Sequence, residues 1–308
     1  MEKILIIDGN SILNRAFYGI RDLSASDGLP TNALYGFVNT VLSNVERVAP
    51  DYAAIAFDLP GKTFRHERYE LYKANRHGMS EELALQLPYA KKLAEAMGFK
   101  VAEKSGYEGD DVIGTVAARA AKSGVHAYVL TGDRDSLQLL SENVGVLLIG
   151  NKETLEYTPS LFLEKYGIPA EDFVDCKALM GDSSDNIPGV AGIGEKTALK
   201  LIAEYKNLEN LYENYEASSL SPGVKKKLSE GKDSAYTSRF LARIDTDVPL
   251  DFSVDQNGVV PALVIEGDEP CRKHRIDHVR RDNMGREVGR GFRMGNTCTP
   301  VVDRKSVV

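Results

Sequence analysis

Ile4-Leu5-Ile6-Ile7-Asp8-Gly9-Asn10 is an apolar run that stops abruptly at an acid and a Gly-Asn pair. Consecutive apolar residues leave no polar face, so the run reads as a strand buried on both sides, followed by a turn. Tyr52–Asp58 has the same form, an apolar stretch ending on an acid. Lys100–Ala102, Ala127–Thr131 and Val144–Ile149 are further strand-like segments. Between them lie segments of helical spacing: Thr31–Val48 (Leu34, Phe37, Val38, Val41, Leu42, Val45), Leu83–Met97, the Ala-rich Asp110–Lys122 and a short Ser136–Leu140. Alternating strands and helices predict a parallel sheet covered on both faces. Such sheets bind ligands beyond the carboxyl ends of their strands, where Asp8, Asp58 and Asp133 should fall.

Beyond about residue 160 the pattern changes to short helices at 159–166, 170–180, 195–206, 208–215, 222–229 and 234–243, which predicts a smaller all-helical domain. No internal repeat is evident.

Composition bounds the answer. The chain has 308 residues, 43% apolar and 27% charged, which suits a globular protein and rules out wholesale disorder. Its longest apolar runs, Ile4–Ile7 and Val146–Ile149, are far short of the ~20 residues that a membrane span needs. Asp8 also cuts the N-terminal run too early for a signal peptide. Cys176, Cys271 and Cys298 form no CxxC pair, so a reducing cytoplasm is expected. The net charge of −7 hides two unlike parts: residues 271–308 carry 10 basic and 4 acidic side chains, the rest 28 and 41.

Acids at turns are the first chemical signal: Asp8, Asp58, Glu108, Asp110, Asp111, Asp133, Asp135, Asp182 and Asp185. Singly, each has a bland role as a helix cap or a turn residue. Several converging on one sheet edge would repel one another and require a cation. Carboxylate oxygens without nearby His or Cys suit Mg²⁺ or Mn²⁺. Two such ions serve in-line phosphodiester cleavage.

Gly189-Val-Ala-Gly192-Ile-Gly194-Glu-Lys196-Thr197 is the second signal. Glu195 stands where a P-loop needs its Lys, and Thr197 where a dinucleotide fingerprint needs its third Gly. The remaining readings are a structural turn between two helices or a glycine turn gripping a DNA phosphate at a helix N-terminus. Lys196 and Lys200, on one helical face, favour the second. Residues 61–78 interleave Lys62, Arg65, Arg68, Lys73 and Arg76 with Phe64, Tyr69 and Tyr72. They read as a solvated loop or as a cationic, aromatic arch guiding a single strand. Nucleophilic catalysis finds no GxSxG and no His beside a Ser or Cys. An aspartyl nucleophile would want Asp where Asn10 stands.

Together these residues resemble a known family. Ile6-Ile-Asp8-Gly-Asn, Tyr35-Gly-Phe, Ala56-Phe-Asp58, Phe64-Arg-His-Glu and Tyr72-Lys-Ala-Asn-Arg76 look like the N-terminal 5′-nuclease domain of bacterial DNA polymerase I. So do Gly106-Tyr-Glu108-Gly-Asp-Asp111, Thr131-Gly-Asp133-Arg-Asp135, Gly181-Asp182-Ser-Ser-Asp185-Asn-Ile-Pro-Gly-Val and Gly192-Ile-Gly-Glu-Lys-Thr-Ala198, in order to about residue 255. The resemblance implies an α/β fold: a PIN-like (resolvase-like) parallel-sheet nuclease core at 1–168 and a helix–hairpin–helix (helix–three-turn–helix) DNA-binding domain at 169–256. It implies one metal near Asp8, Asp58, Glu108 and Asp110. A second would lie near Asp133, Asp135, Asp182 and Asp185, with Asp111 partly behind these ligands. Lys73 and Arg76 match arch positions at the scissile phosphate, and Tyr35 matches the aromatic at the gateway for the displaced nucleotide. Arg65, Gly189, Gly192, Gly194, Lys196, Thr197 and Lys200 fall among the DNA contacts, with a potassium ion at the Gly192–Gly194 turn. Ser80 departs from the Pro frequent in relatives and affects only the exit of the arch.

The expected activity is a structure-specific 5′-3′ exonuclease and flap endonuclease of replication and repair. Its substrates would be DNA with a free 5′ end or flap and RNA-primed strands, at the cytoplasmic nucleoid, with no membrane partner. A related ribonuclease would not need the glycine turn, and a metal-free DNA-binding module would gain nothing from clustered acids. A polymerase domain would continue the chain. Residues 257–308 instead turn Arg-rich without hydrophobic periodicity, and are expected to be a truncated or frame-shifted end rather than a basic arm.

Overall fold

The computed structural model describes residues 1–250 other than His77 and Asn151, and the backbone of the short strands Ile265–Gly267 and His274–Ile276. The tail expected at 257–308 otherwise lies outside the described residues.

Five strands run parallel: β1 (Lys3–Asp8), β2 (Tyr52–Ala56), β3 (Lys100–Ala102), β4 (His126–Thr131) and β5 (Val144–Ile149). A sixth, β6 (Thr154–Tyr157), closes one edge antiparallel to β5, giving the order β3-β2-β1-β4-β5-β6. β1 is central. Its Ile7 pairs with Ile55 on one side and Leu130 on the other.

Helices cover both faces. α1 (Gly9–Gly19), α2 (Asn32–Val48) and α4 (Glu81–Ala96) bury one side together with Leu5 and Ile7. A short α3 (Phe64–Arg68) interrupts the polar 61–78 segment. α5 (Gly109–Lys122) covers the other side, against Ile4 and Ile6. The uninterrupted apolar run of β1 therefore feeds two cores. Each fully buried side chain there is worth about 1.5–3 kcal/mol of transfer free energy.

That second core continues from the sheet into α6 (Pro159–Tyr166), α7 (Phe173–Met180), α8 (Glu195–Tyr205), α9 (Leu208–Asn214) and α10 (Pro222–Glu230). α11 (Lys232–Ala242) packs against α7. The helical part thus shares its apolar interior with the sheet. Residues 245–250 then strap across α5: Val248 N–H donates to Thr115 Oγ1 at 3.0 Å, and Arg119 donates to the Val248 carbonyl at 2.9 Å.

Local chemistry sets the ends. Asp8 accepts the Ser11 N–H at 2.9 Å and caps α1, the helix-cap role that the sequence allowed it. Ser80, the departure noted above, is the N-cap of α4, with Glu81 and Glu82 in the first turn. No helix among the described residues is long and apolar enough to cross a membrane.

Candidate active site

β1, β2 and β4 end at the same sheet edge, and each delivers an acid there. Asp8 is the last residue of β1, and Asp58 and Asp133 follow β2 and β4. α5 points its N-terminus at the same place, with Glu108 just before it and Asp110 and Asp111 in its first turn. Asp8, Asp58, Glu108, Asp110, Asp133, Asp135 and Asp185 line a cavity of about 370 Å³. A neighbouring cavity of about 640 Å³ shares Asp133 and Asp135 and extends past Lys177 and Asp182 to Gly194 and Glu195.

Backbone and hydroxyl groups hold these acids in place. Asp8 Oδ2 accepts from Thr131 Oγ1 at 2.7 Å, and the same hydroxyl accepts the Asp133 N–H at 3.0 Å. Asp58 Oδ1 accepts the Gly109 N–H at 2.6 Å, while Asn10 Oδ1 accepts the Asp58 N–H at 3.0 Å. Asp133 Oδ1 accepts the Asp135 N–H at 2.8 Å.

Charge is balanced unevenly across the cavity. Glu108 sits between Lys73 Nζ at 2.8 Å, the Tyr72 hydroxyl at 3.0 Å and Arg65 at 3.4 Å. Burial alone would raise its pKa, but Lys73 and Arg65 hold it below the usual range. Asp185 pairs with Arg76 and lies 3.8 Å from Lys73. Lys177 Nζ lies 2.7 Å from Asp135 and 2.6 Å from Asp182. Against the penalty of burial, its bonds and those of Ser184 hold Asp182 at about 2.

Asp8, Asp58, Asp110 and Asp133 make no ion pair among the described residues, although Lys73 acts on Asp110 from longer range. Burial, with help from Asp58 and Asp133, pushes Asp8 up to about 6. Burial, then Asp8 and Asp133, pushes Asp110 well above the carboxylate range. Among the described residues no three His, Cys, Asp or Glu side chains close around a point as a finished metal cage would. What the cavity offers is a set of hard oxygens with unrelieved repulsion, a donor set that fits divalent cations such as Mg²⁺ or Mn²⁺.

Asp111 stands behind the cavity, and Arg65 does not match its expected place at DNA. Asp111 is fully buried and lines neither cavity; it accepts Arg65 Nη1 and Nη2, both at 2.7 Å, and the Glu108 N–H at 3.0 Å. Its oxygens brace the start of α5 directly behind Glu108, as a place behind the ligands requires. Arg65, expected at DNA, is 2% exposed and also donates to the Leu241 and Arg243 carbonyls. Its fork is used up inside the protein.

The 61–78 segment is packed as well. Phe64 is half-buried, tilted against Tyr107 and edge-on to Phe240, and Tyr72 is buried over Glu108, so the Tyr72 ring is not open to bases. Lys73 and Arg76 do line the acidic cavity. Tyr35 is exposed on α2 and is not part of the cavity wall; Tyr18, 76% exposed on α1, is. Tyr18, Asn14 and Lys177 went unnoticed in the sequence, and Asn10 figures there only as the absence of a second Asp. The period of α1 from Asp8 would have placed Ser11, Asn14 and Tyr18 on one face.

The glycine turn divides in two. Gly181 and Gly189 cross so closely that a Cβ on Gly189 would lie 2.4 Å from the Gly181 nitrogen, and both have positive φ. Gly189 also donates to Ser238 Oγ at 2.9 Å and accepts from Ser234 Oγ at 2.6 Å, so it serves packing on α11. Gly192 has φ +75° and its carbonyl accepts Lys227 Nζ at 3.0 Å, on the turn where a potassium ion was expected. Gly194 caps α8, and Gly192, Gly194, Lys196 and Lys200 are exposed, with Thr197 half-buried. The first N–H groups of α8 therefore open to solvent beside two lysines, a site that suits an anion.

An open α/β sheet with an acidic cavity at its strand ends, joined to a helical unit with a glycine turn, defines a nuclease-type architecture. The chain belongs to the 5′-3′ exonuclease family: residues 3–167 match its N-terminal resolvase-like domain and residues 168–262 its C-terminal SAM fold. DNA polymerase I of Caldicellulosiruptor bescii is 46% identical over 257 residues, 82% of this chain and 30% of that protein. DNA polymerase I of Bacillus subtilis is 41% identical over 255 residues, 82% of this chain and 29% of that protein. The chain thus spans about 30% of the length of these relatives. Among solved structures, T5 5′-exonuclease with bound zinc shares the fold at a TM-score of 0.66 and 23% identity, covering 80% of this chain and 90% of that one. The catalytic core of Rad2 in complex with a DNA substrate does so at a TM-score of 0.55 and 16% identity, covering 84% and 82%.

Proposed function

We propose that this chain cleaves DNA phosphodiesters near a free 5′ end or 5′ flap, including RNA-primed strands, in replication and repair. The observation that carries the reading is the group Asp8, Asp58, Asp110 and Asp133, which line one cavity and make no ion pair among the described residues. Mg²⁺ or Mn²⁺ ions held there and near Asp135, Asp182 and Asp185 would supply positive charge for in-line displacement at phosphorus. Thr131 and Ser11 N–H aim the Asp8 oxygens into the cavity, and Gly109 N–H does the same for Asp58. Lys73 and Arg76, on the cavity wall, add fixed positive charge where a phosphate gains negative charge.

Duplex binding falls to the N-terminus of α8 with Gly192, Gly194, Lys196 and Lys200, through phosphates and without base readout. Thr197, half-buried in the first turn of α8, supports that grip. A potassium ion at the Gly192–Gly194 turn would share the Gly192 carbonyl with Lys227. The working compartment is the cytoplasm at the nucleoid, with a polymerase domain as the natural neighbour, since the relatives are DNA polymerase I. Incubating the protein with a labelled 5′-flap duplex, with and without Mg²⁺, tests the reading. Cleavage only with Mg²⁺ is expected. Retained binding without cleavage would instead support a metal-free DNA-binding module.

A further inference from the structure

Lys177 stands on α7 with 5% exposure, and its ammonium bridges two acids from different parts of the fold. Asp135 belongs to the turn after β4 and Asp182 to the loop after α7; Nζ lies 2.7 Å from one and 2.6 Å from the other. Both oxygens of Asp182 are engaged, since Oδ1 also accepts the Ser184 N–H at 2.8 Å and its hydroxyl at 2.6 Å. A short distance away, across the shared Asp133, Asp8, Asp58 and Asp110 make no ion pair among the described residues, while Glu108 and Asp185 are paired with Lys73, Arg65 and Arg76. An ammonium and a divalent cation seek the same oxygen lone pairs, and their like charges repel.

We propose that Lys177 is the resident counter-ion of the Asp135–Asp182 position, so that the chain takes two divalent cations unequally. The first goes to Asp8, Asp58, Asp110 and Asp133, where it has no ion pair to break among the described residues. The second has to displace Lys177 from Asp135 and Asp182, and binds more weakly for that reason. Lys177 is thus a positioning residue: it keeps the two acids together before the second cation arrives and sets how much cation is needed. This inference rests on the two-cation reading above.

Mn²⁺ titration of the DNA-free protein, followed by the EPR signal of free Mn²⁺, tests it without any cleavage assay. The unaltered chain is expected to bind one ion tightly and a second weakly. Lys177→Met should tighten the second by roughly tenfold or more, the scale of removing one like charge at close range. Lys177→Arg, which keeps the charge, should restore the weak second site. Two equal sites in the unaltered chain, or a second affinity unchanged or weakened in Lys177→Met, would overturn the proposal alone. Failure to bind any ion would overturn the metal reading with it. Should Lys177→Met not fold, the Lys177 ¹³Cε resonance of the unaltered, lysine-labelled protein decides. It should move only with the second equivalent of Mg²⁺, and movement with the first, or none, contradicts displacement.

Discussion

Lys73 and Asp185 are joined twice: the Lys73 N–H donates to the Asp185 carbonyl at 2.9 Å, and its ammonium lies 3.8 Å from the Asp185 carboxylate. The first contact holds Lys73 at φ +53°, a left-handed conformation rare for a side-chain-bearing residue. Asn186, at φ +55°, answers by donating to the Leu71 carbonyl at 2.6 Å. The polar 61–78 segment is thereby clamped to the loop that carries Asp182 and Asp185, with the Lys73 ammonium aimed at Glu108.

Lys73→Met should therefore leave the clamp's backbone bond intact and remove the charge from the cavity. Cleavage of a 5′-flap duplex is expected to fall roughly 10²–10³-fold, the scale for losing one preorganised charge stabiliser. Duplex affinity should change little. Single-turnover rates measured beside equilibrium binding check this, and a loss of affinity as large as the loss of rate would place Lys73 in binding instead.

Arg65 offers a contrast, because its role is internal. Its two bonds to Asp111 and its donations to the Leu241 and Arg243 carbonyls join α3, α5 and the end of α11. Arg65→Met leaves Asp111 buried and unpaired, at a cost of about 3–5 kcal/mol. Urea unfolding should show that loss. Unchanged stability with lost DNA binding would restore Arg65 to the nucleic-acid surface.

Proton uptake by the acidic cavity sets a pH dependence with a definite sign. The folded pKa of Asp8 and of Asp135 is raised from 3.8 to about 6, chiefly by burial. The folded state therefore binds more protons than the unfolded chain, and stability falls as pH rises from 3.8 through about 6. The depressed carboxylates Glu108 and Asp182 act mainly lower, below their ordinary values of 4.5 and 3.8. The Tm of metal-free protein should decline across the upper window, less steeply in Asp8→Asn. Mg²⁺ should raise Tm more above that window than within it, since proton and cation compete. An equal Mg²⁺ effect at both ends would count against cation binding by these acids.

The two halves of the glycine motif should respond differently. Gly189→Ala puts a Cβ against the Gly181 backbone at φ +62° and should destabilise the fold by roughly 3 kcal/mol or more. Lys196→Ala and Lys200→Ala should keep Tm and weaken duplex binding. Each should reduce the slope of log affinity against log salt by about 0.9. A slope unchanged in both lysine variants would remove α8 from the DNA contact.

Much of this was legible in the sequence because β1, β2, β4 and β5 are runs of mainly apolar residues, and β1, β2 and β4 run out at or just before an acid. That pattern gave sheet, edge and cavity together. β6 was not legible: Thr154–Tyr157 is a short edge strand, half-buried, without an apolar run. Arg65 looked like a DNA contact because charge in a motif says nothing of burial; only the packing of α3 against α5 and α11 reveals its pairing with Asp111. Lys177 was hidden for the opposite reason. It sits in an apolar stretch, and its partners are brought to it by tertiary structure from β4 and the 182–187 loop.

Asp133 is shared by both cavities, so one substitution there tests the central claim. Cleavage and binding of a 5′-flap duplex should be measured together, in Mg²⁺, for the unaltered chain and for Asp133→Ala. The predicted result is a cleavage rate lower by roughly 10³-fold or more with duplex binding largely retained. Undiminished cleavage, or equal loss of cleavage and binding, would contradict the assignment of the acidic cavity as the catalytic centre.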